Sequence, residues 1–87
     1  MIKEKVVVID KIGFHARTAA LFAKEATTFS AMIKIEFNNK SVNGKSMLAI
    51  MTLGVKSNDS IEIIADGADE KEAIASLVKL IQNNFNL

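Results

Sequence analysis

Ala31-Met32-Ile33-Lys34-Ile35-Glu36-Phe37-Asn38-Asn39-Lys40 is the stretch from which the architecture follows. Ile33, Ile35 and Phe37 alternate with Lys34 and Glu36. Only an extended chain sends every second side chain to the same face, so residues 31–37 read as a half-buried strand. Asn38-Asn39 tolerates positive φ and suits a tight turn. Lys40–Asn43 then reads as a short returning strand. A hairpin with one polar face calls for an antiparallel sheet covered on one side only.

Working outward, residues 3–9 carry Val6-Val7-Val8-Ile9 and read as a first strand, with Asp10-Lys11-Ile12-Gly13 as a loop. A helix follows over about residues 16–28. Ala19, Phe22, Ala23 and Ala26 form its apolar stripe, Phe29 closes its end, and Ala16, Ala20, Leu21 and Lys24 lie nearer the outside. Asn43-Gly44-Lys45 leads into a short helix over about 46–53, stopped at Gly54. Residues 60–65 form a fourth strand with Ile61 and Ile63 inward. Asp69 and Glu72 have capping-box spacing. They open a last helix running to about residue 84, with Ala73, Ile74, Leu77, Val78, Ile81 and Phe85 on its buried face. The order is β-α-β-β-α-β-α, a two-layer arrangement with helices over one face of a mainly antiparallel sheet.

Composition narrows the chemistry. The 87 residues, 49% apolar, make one domain over residues 1–87 with a single core. No cysteine means no disulfide, no thiol catalysis and no thiolate metal site. One histidine cannot build a multi-histidine cage, so no metal and no cofactor is expected, with carboxylates alone left open as magnesium ligands. A net charge of +1 gives no field for nucleic acid or anionic membrane, and tyrosine and tryptophan are absent, which disfavours an RNA-binding sandwich. No apolar run is long enough to span a bilayer and no signal peptide is legible, so the expected location is the cytoplasm.

Gly13-Phe14-His15-Ala16-Arg17-Thr18-Ala19-Ala20 holds the only histidine and the only arginine, beside ten lysines. A guanidinium is a planar fork of donors that matches phosphate oxygens, and a neutral imidazole is a nucleophile. Both sit where a helix begins, and free N–H groups there favour an anion. Together they describe a place where a phosphoryl group could be carried on His15. The plainer alternative is a capping or surface histidine beside a solvated arginine. No acidic residue adjoins His15 in sequence, which leaves a backbone carbonyl or water to steer its ring.

The short helix is apolar on two sides. Ile50 and Leu53 share one face, and Met47, Leu48 and Met51 share another. It is either deeply buried or half exposed for a partner, and methionine suits a surface that repacks against several partners. Ser46 has the place of a helix N-cap.

Laid out in this way, the chain resembles the histidine-containing phosphocarrier (HPr) family of the bacterial sugar phosphotransferase system. The family pattern Gly-x-His-x-Arg-Pro-Ala reads here Gly13-Phe14-His15-Ala16-Arg17-Thr18-Ala19. Asn43-Gly44-Lys45-Ser46-Met47-Leu48 with Met51-Thr52-Leu53-Gly54 matches a second segment, and Ala65-Asp66-Gly67-Ala68-Asp69-Glu70 a third. The resemblance spans essentially the whole chain.

It implies an α+β open-faced β-sandwich, a four-stranded antiparallel sheet with three helices on one face. It implies a phosphoryl carrier, not an enzyme. His15 would accept a phosphoryl group on Nδ1 from enzyme I and pass it to the A-type domain of a sugar transporter. Arg17 would hold the phosphoryl oxygens, with the N–H groups of Ala16 and Arg17 pointing at them. Ser46 matches the serine modified by the regulatory HPr kinase/phosphorylase in many relatives, where a phosphate is welcome at a helix start but would oppose docking on the apolar face. Met47, Leu48 and Met51 match partner-docking positions, and Ala20, Leu21 and Lys24 complete the expected partner face beside His15. A monomer is expected. The family's proline after the arginine is Thr18, which restores an N–H and is expected to loosen the turn slightly, altering rate or affinity without abolishing transfer. The alternatives are a regulatory binding module that uses the methionine face, and a carrier of a parallel nitrogen-type branch.

Overall fold

The computed structural model describes residues 1–86; Leu87, the last residue of the expected domain, lies outside the described residues. The chain runs β1 (Ile2–Val7), α1 (Ala16–Ala26), β2 (Met32–Phe37), β3 (Lys40–Asn43), α2 (Met47–Met51), β4 (Ser60–Asp66) and α3 (Glu70–Gln82). The strands form one antiparallel sheet in the order β1-β4-β2-β3. The three helices cover one face of it, giving the open-faced sandwich expected from the sequence.

The hairpin is built as its residues suggest. Phe37 pairs with Lys40, and Asn38 and Asn39 take φ of 53° and 66°, the positive values that a two-residue turn demands of both residues. Ile33 and Ile35 from β2 and Ile61 and Ile63 from β4 are buried under Phe22 of α1, Ile50 of α2 and Leu77 and Ile81 of α3. Burying each such side chain contributes about 1.5–3 kcal/mol.

Several boundaries differ from the sequence expectation, each for a local reason. β1 is two residues shorter at its end. Val8 leaves the ladder because its N–H donates to Asp59 O at 2.9 Å and its carbonyl accepts from Asn58 N at 2.7 Å. α1 stops at Ala26 because the Thr27 and Thr28 hydroxyls donate to the Lys24 and Glu25 carbonyls, both at 2.7 Å. Such bonds compete with the helical ladder. Lys45 donates its Nζ to Phe29 O at 2.8 Å beyond that end. α2 is confined to Met47–Met51 between Ser46 and Thr52 as its caps.

The capping box expected at Asp69 and Glu72 does not form. The Asp69 carboxylate accepts the N–H groups of Ser30 at 2.9 Å and Ala31 at 2.8 Å, so it ties the entry of α3 to the loop before β2. Those hydrogen bonds hold the Asp69 carboxyl below its ordinary pKa. On α3, Leu80 is buried and Val78 only half-buried. The helix ends at Gln82, and Asn84 and Phe85 adopt left-handed φ of 54° and 61°. The Phe85 N–H donates to Leu80 O at 2.8 Å, which folds the Phe85 ring back against Phe14 at 5.9 Å between centroids.

Candidate functional site

The loop before α1 is held from below by packing. Phe14 is buried, with its ring edge-on to Phe22 at 5.8 Å as well as to Phe85. Its N–H donates to Val55 O at 3.1 Å. Gly13 takes φ +91°, and a Cβ there would stand 2.3 Å from Val55 O. Only glycine permits this close passage. The passage delivers His15 to the N-cap of α1 in extended conformation.

Thr18 ties the first turn. Its side chain is fully buried; Oγ1 accepts the His15 N–H at 3.1 Å and donates to Gly13 O at 2.9 Å. The loosening expected from replacing proline is therefore offset by two side-chain bonds across the turn. The first-turn N–H groups of Ala16 and Arg17 belong to the set that has no partner inside a helix.

The imidazole and the guanidinium meet a residue that sequence reading passed over. Asp10 is 7% exposed. Its Oδ2 lies 3.3 Å from His15 Nε2, and its Oδ1 lies 3.6 Å from Arg17 Nη2. The same Oδ2 accepts the Ile12 N–H at 3.1 Å, and the Gly13 N–H donates to the Asp10 carbonyl at 3.1 Å. His15 and Arg17 keep side-chain exposures of 29% and 59%, enough for both to reach a partner. Asp10 stands five residues before His15, so a search for an acid beside the histidine does not find it. The signal available was Asp10 opening a four-residue loop that ends in glycine, the pattern of an Asx turn.

The other residues picked out from sequence fall into two places. On α1, Lys24 is exposed, while Ala20 and Leu21 are half-buried. On α2, Met47, Leu48 and Met51 are 37%, 71% and 40% exposed, whereas Ile50 and Leu53 are buried. This resolves the two readings of that helix in favour of the half-exposed one. Ser46 caps α2 through Oγ, which accepts the Ala49 N–H at 3.2 Å. α1 and α2 pack against each other. Among the described residues no group of acidic or histidine side chains could hold a metal ion, and no helix is long and apolar enough to cross a membrane.

The family model for the PTS HPr component phosphorylation site matches residues 2–83. The chain is 38% identical over 85 residues to the phosphocarrier protein HPr of Neisseria meningitidis serogroup A, covering 98% of this chain and 96% of that one. The crystal structure of HPr from Thermoanaerobacter tengcongensis superposes with a TM-score of 0.94 at 45% identity, covering 98% of this chain and 96% of that one. A crystal structure of Crh, the Bacillus subtilis catabolite repression containing protein, described as a dimer with a swapping domain, matches with a TM-score of 0.79 at 38% identity over 100% of both chains.

Proposed function

Because the chain belongs to the HPr family, the phosphocarriers and not the enzymes of the phosphotransferase system, we propose that His15 is its phosphoryl acceptor. It takes the group from phospho-enzyme I and donates it to A-type domains of sugar transporters. The observation that carries this reading is the convergence of the only imidazole and the only guanidinium on one buried carboxylate at the start of α1.

Transfer requires little covalent machinery. The Nδ1 lone pair of His15 forms a P–N bond as the donor's bond to phosphorus breaks. Positioning and charge stabilisation do the rest. Arg17, with most of its side chain in solvent, exchanges its 3.6 Å approach to Asp10 for the phosphoryl oxygens. The N–H groups of Ala16 and Arg17 supply the helix-start contribution.

Met47, Leu48 and Met51, with Ala20, Leu21 and Lys24, form the face on which successive partners dock. Phosphorylation of Ser46 by HPr kinase/phosphorylase would set a dianion at the edge of that apolar face and weaken docking. The carrier works as a monomer, since transfer needs His15 and this face open to each partner in turn.

The test is phosphorylation by enzyme I and phosphoenolpyruvate. The protein gains one acid-labile phosphoryl group, and His15→Ala gains none. A wild-type protein that stays unmodified beside a competent enzyme I overturns the proposal and leaves a regulatory binding module using the α2 face.

A further inference from the structure

We propose that Asp10 is the positioning residue of the transfer site. Its carboxylate keeps the His15 proton on Nε2, leaves the reacting lone pair on Nδ1, and balances the positive ring once the phosphoryl group is bound. The inference rests on His15 being the phosphoryl acceptor.

A carboxylate as buried as that of Asp10 is costly unless it is paired. The turn it sits in does not require its charge, because an asparagine oxygen would accept the Ile12 N–H equally well. What the charge serves is the pair of nitrogen groups beside it, the His15 imidazole at 3.3 Å and the Arg17 guanidinium at 3.6 Å. An ionised carboxylate only accepts hydrogen bonds, and a neutral imidazole carries one N–H. The nitrogen facing Asp10 therefore holds the proton, and the other nitrogen, Nδ1, holds the lone pair. The same logic fixes the histidine tautomer in serine hydrolase triads.

The charges then follow through the step. At rest, Asp10 serves both partners. When Nδ1 attacks, its lone pair forms the new P–N bond, and the electron pair of the broken bond returns to the donor. No proton leaves His15, so the ring becomes a cation that retains Nε2–H. Arg17 moves to the incoming phosphoryl oxygens, and Asp10 is left to balance the imidazolium. Onward transfer returns the P–N electron pair to Nδ1 and Arg17 to Asp10. Each charged state thus has a counter-ion without any group entering from solvent.

Two variants test this. In unphosphorylated protein, ring ¹⁵N shifts of His15 report the tautomer with no phosphoryl donor present. The wild type shows the Nε2–H form, and Asp10→Ala shows a raised Nδ1–H population. Unchanged ring shifts in a folded Asp10→Ala variant overturn the proposal. Asp10→Asn preserves the turn and guards against loss of fold. Its transfer from phospho-enzyme I is expected to slow about tenfold, the scale of one charge-assisted contact, and wild-type transfer in Asp10→Asn equally overturns the proposal. Failure of the carrier reading itself is distinct, because His15 would then be unmodified in all three proteins while the tautomer measurement still reports on Asp10.

Discussion

Thr18 joins Gly13 to the first turn of α1: its hydroxyl donates to the Gly13 carbonyl at 2.9 Å while accepting the His15 N–H at 3.1 Å. Proline at this position, the family residue, would restrict the turn through its ring. Threonine restricts it through a buried hydroxyl that spans the residues on either side of Phe14. The two devices reach one end, a fixed backbone under the histidine, by different chemistry.

Thr18→Val keeps the shape and removes both bonds. Because the Thr18 side chain is fully buried, the Gly13 carbonyl loses its buried partner and the part-buried His15 N–H loses its acceptor. The expected loss is about 1–3 kcal/mol of stability, read from urea unfolding midpoints. Thr18→Ser should recover most of it. A Thr18→Val protein as stable as the wild type would show that the hydroxyl does not hold this turn.

Asp69 makes stability depend on pH. Its carboxyl is held below the ordinary value of 3.8, first by the Ser30 N–H and also by the Ala31 N–H. A carboxyl with a lowered folded pKa contributes its full stabilisation above the unfolded value and loses it as pH falls through the folded value. The unfolding midpoint should therefore be flat with respect to this group above about pH 5 and decline in the acid range. Asp69→Ala should be less stable near neutrality and show a shallower acid decline. Parallel acid limbs in the two proteins would contradict the assignment.

Leu48 separates docking from folding. It is 71% exposed on α2, beside Met47 and Met51, and stands outside the hydrophobic core cluster. Stability should change by no more than about 0.5 kcal/mol. Affinity for enzyme I or an A-type acceptor, measured by titration calorimetry, should fall about tenfold if this side chain fills a partner's pocket. Unchanged affinity for both partners would move the docking face elsewhere.

Periodicity made much of the architecture legible. The alternation of Ile33, Lys34, Ile35 and Glu36, the Asn38-Asn39 pair and the 3.6-residue stripe of Ala19, Phe22, Ala23 and Ala26 are local patterns, and a strand, a turn and a helix are local responses to them. The same holds for His15 and Arg17. Two residues apart at a helix start, they are neighbours in any fold that keeps the helix, and their rarity in the composition drew attention to them.

What the sequence could not disclose depends on contacts that cross the chain. Asp69 has capping-box spacing, yet its carboxylate went to Ser30 and Ala31, 39 and 38 residues away. Two N–H donors from another loop hold it, and it makes no capping bond to its own helix. The α2 pattern allowed burial or exposure, and only the packing of α1 and Ile50 into one core chose which side faced solvent. Asp10 looked like a turn residue. It came to lie against both His15 and Arg17 because Gly13, in a left-handed conformation against Val55, reverses the chain and brings residues five and seven positions further on to one carboxylate. Sequence by itself determined the elements and the placing of His15 beside Arg17 at a helix start, since both follow from short-range spacing. The tertiary structure decided which charges face one another, because that depends on where turns place groups that spacing alone leaves unrelated.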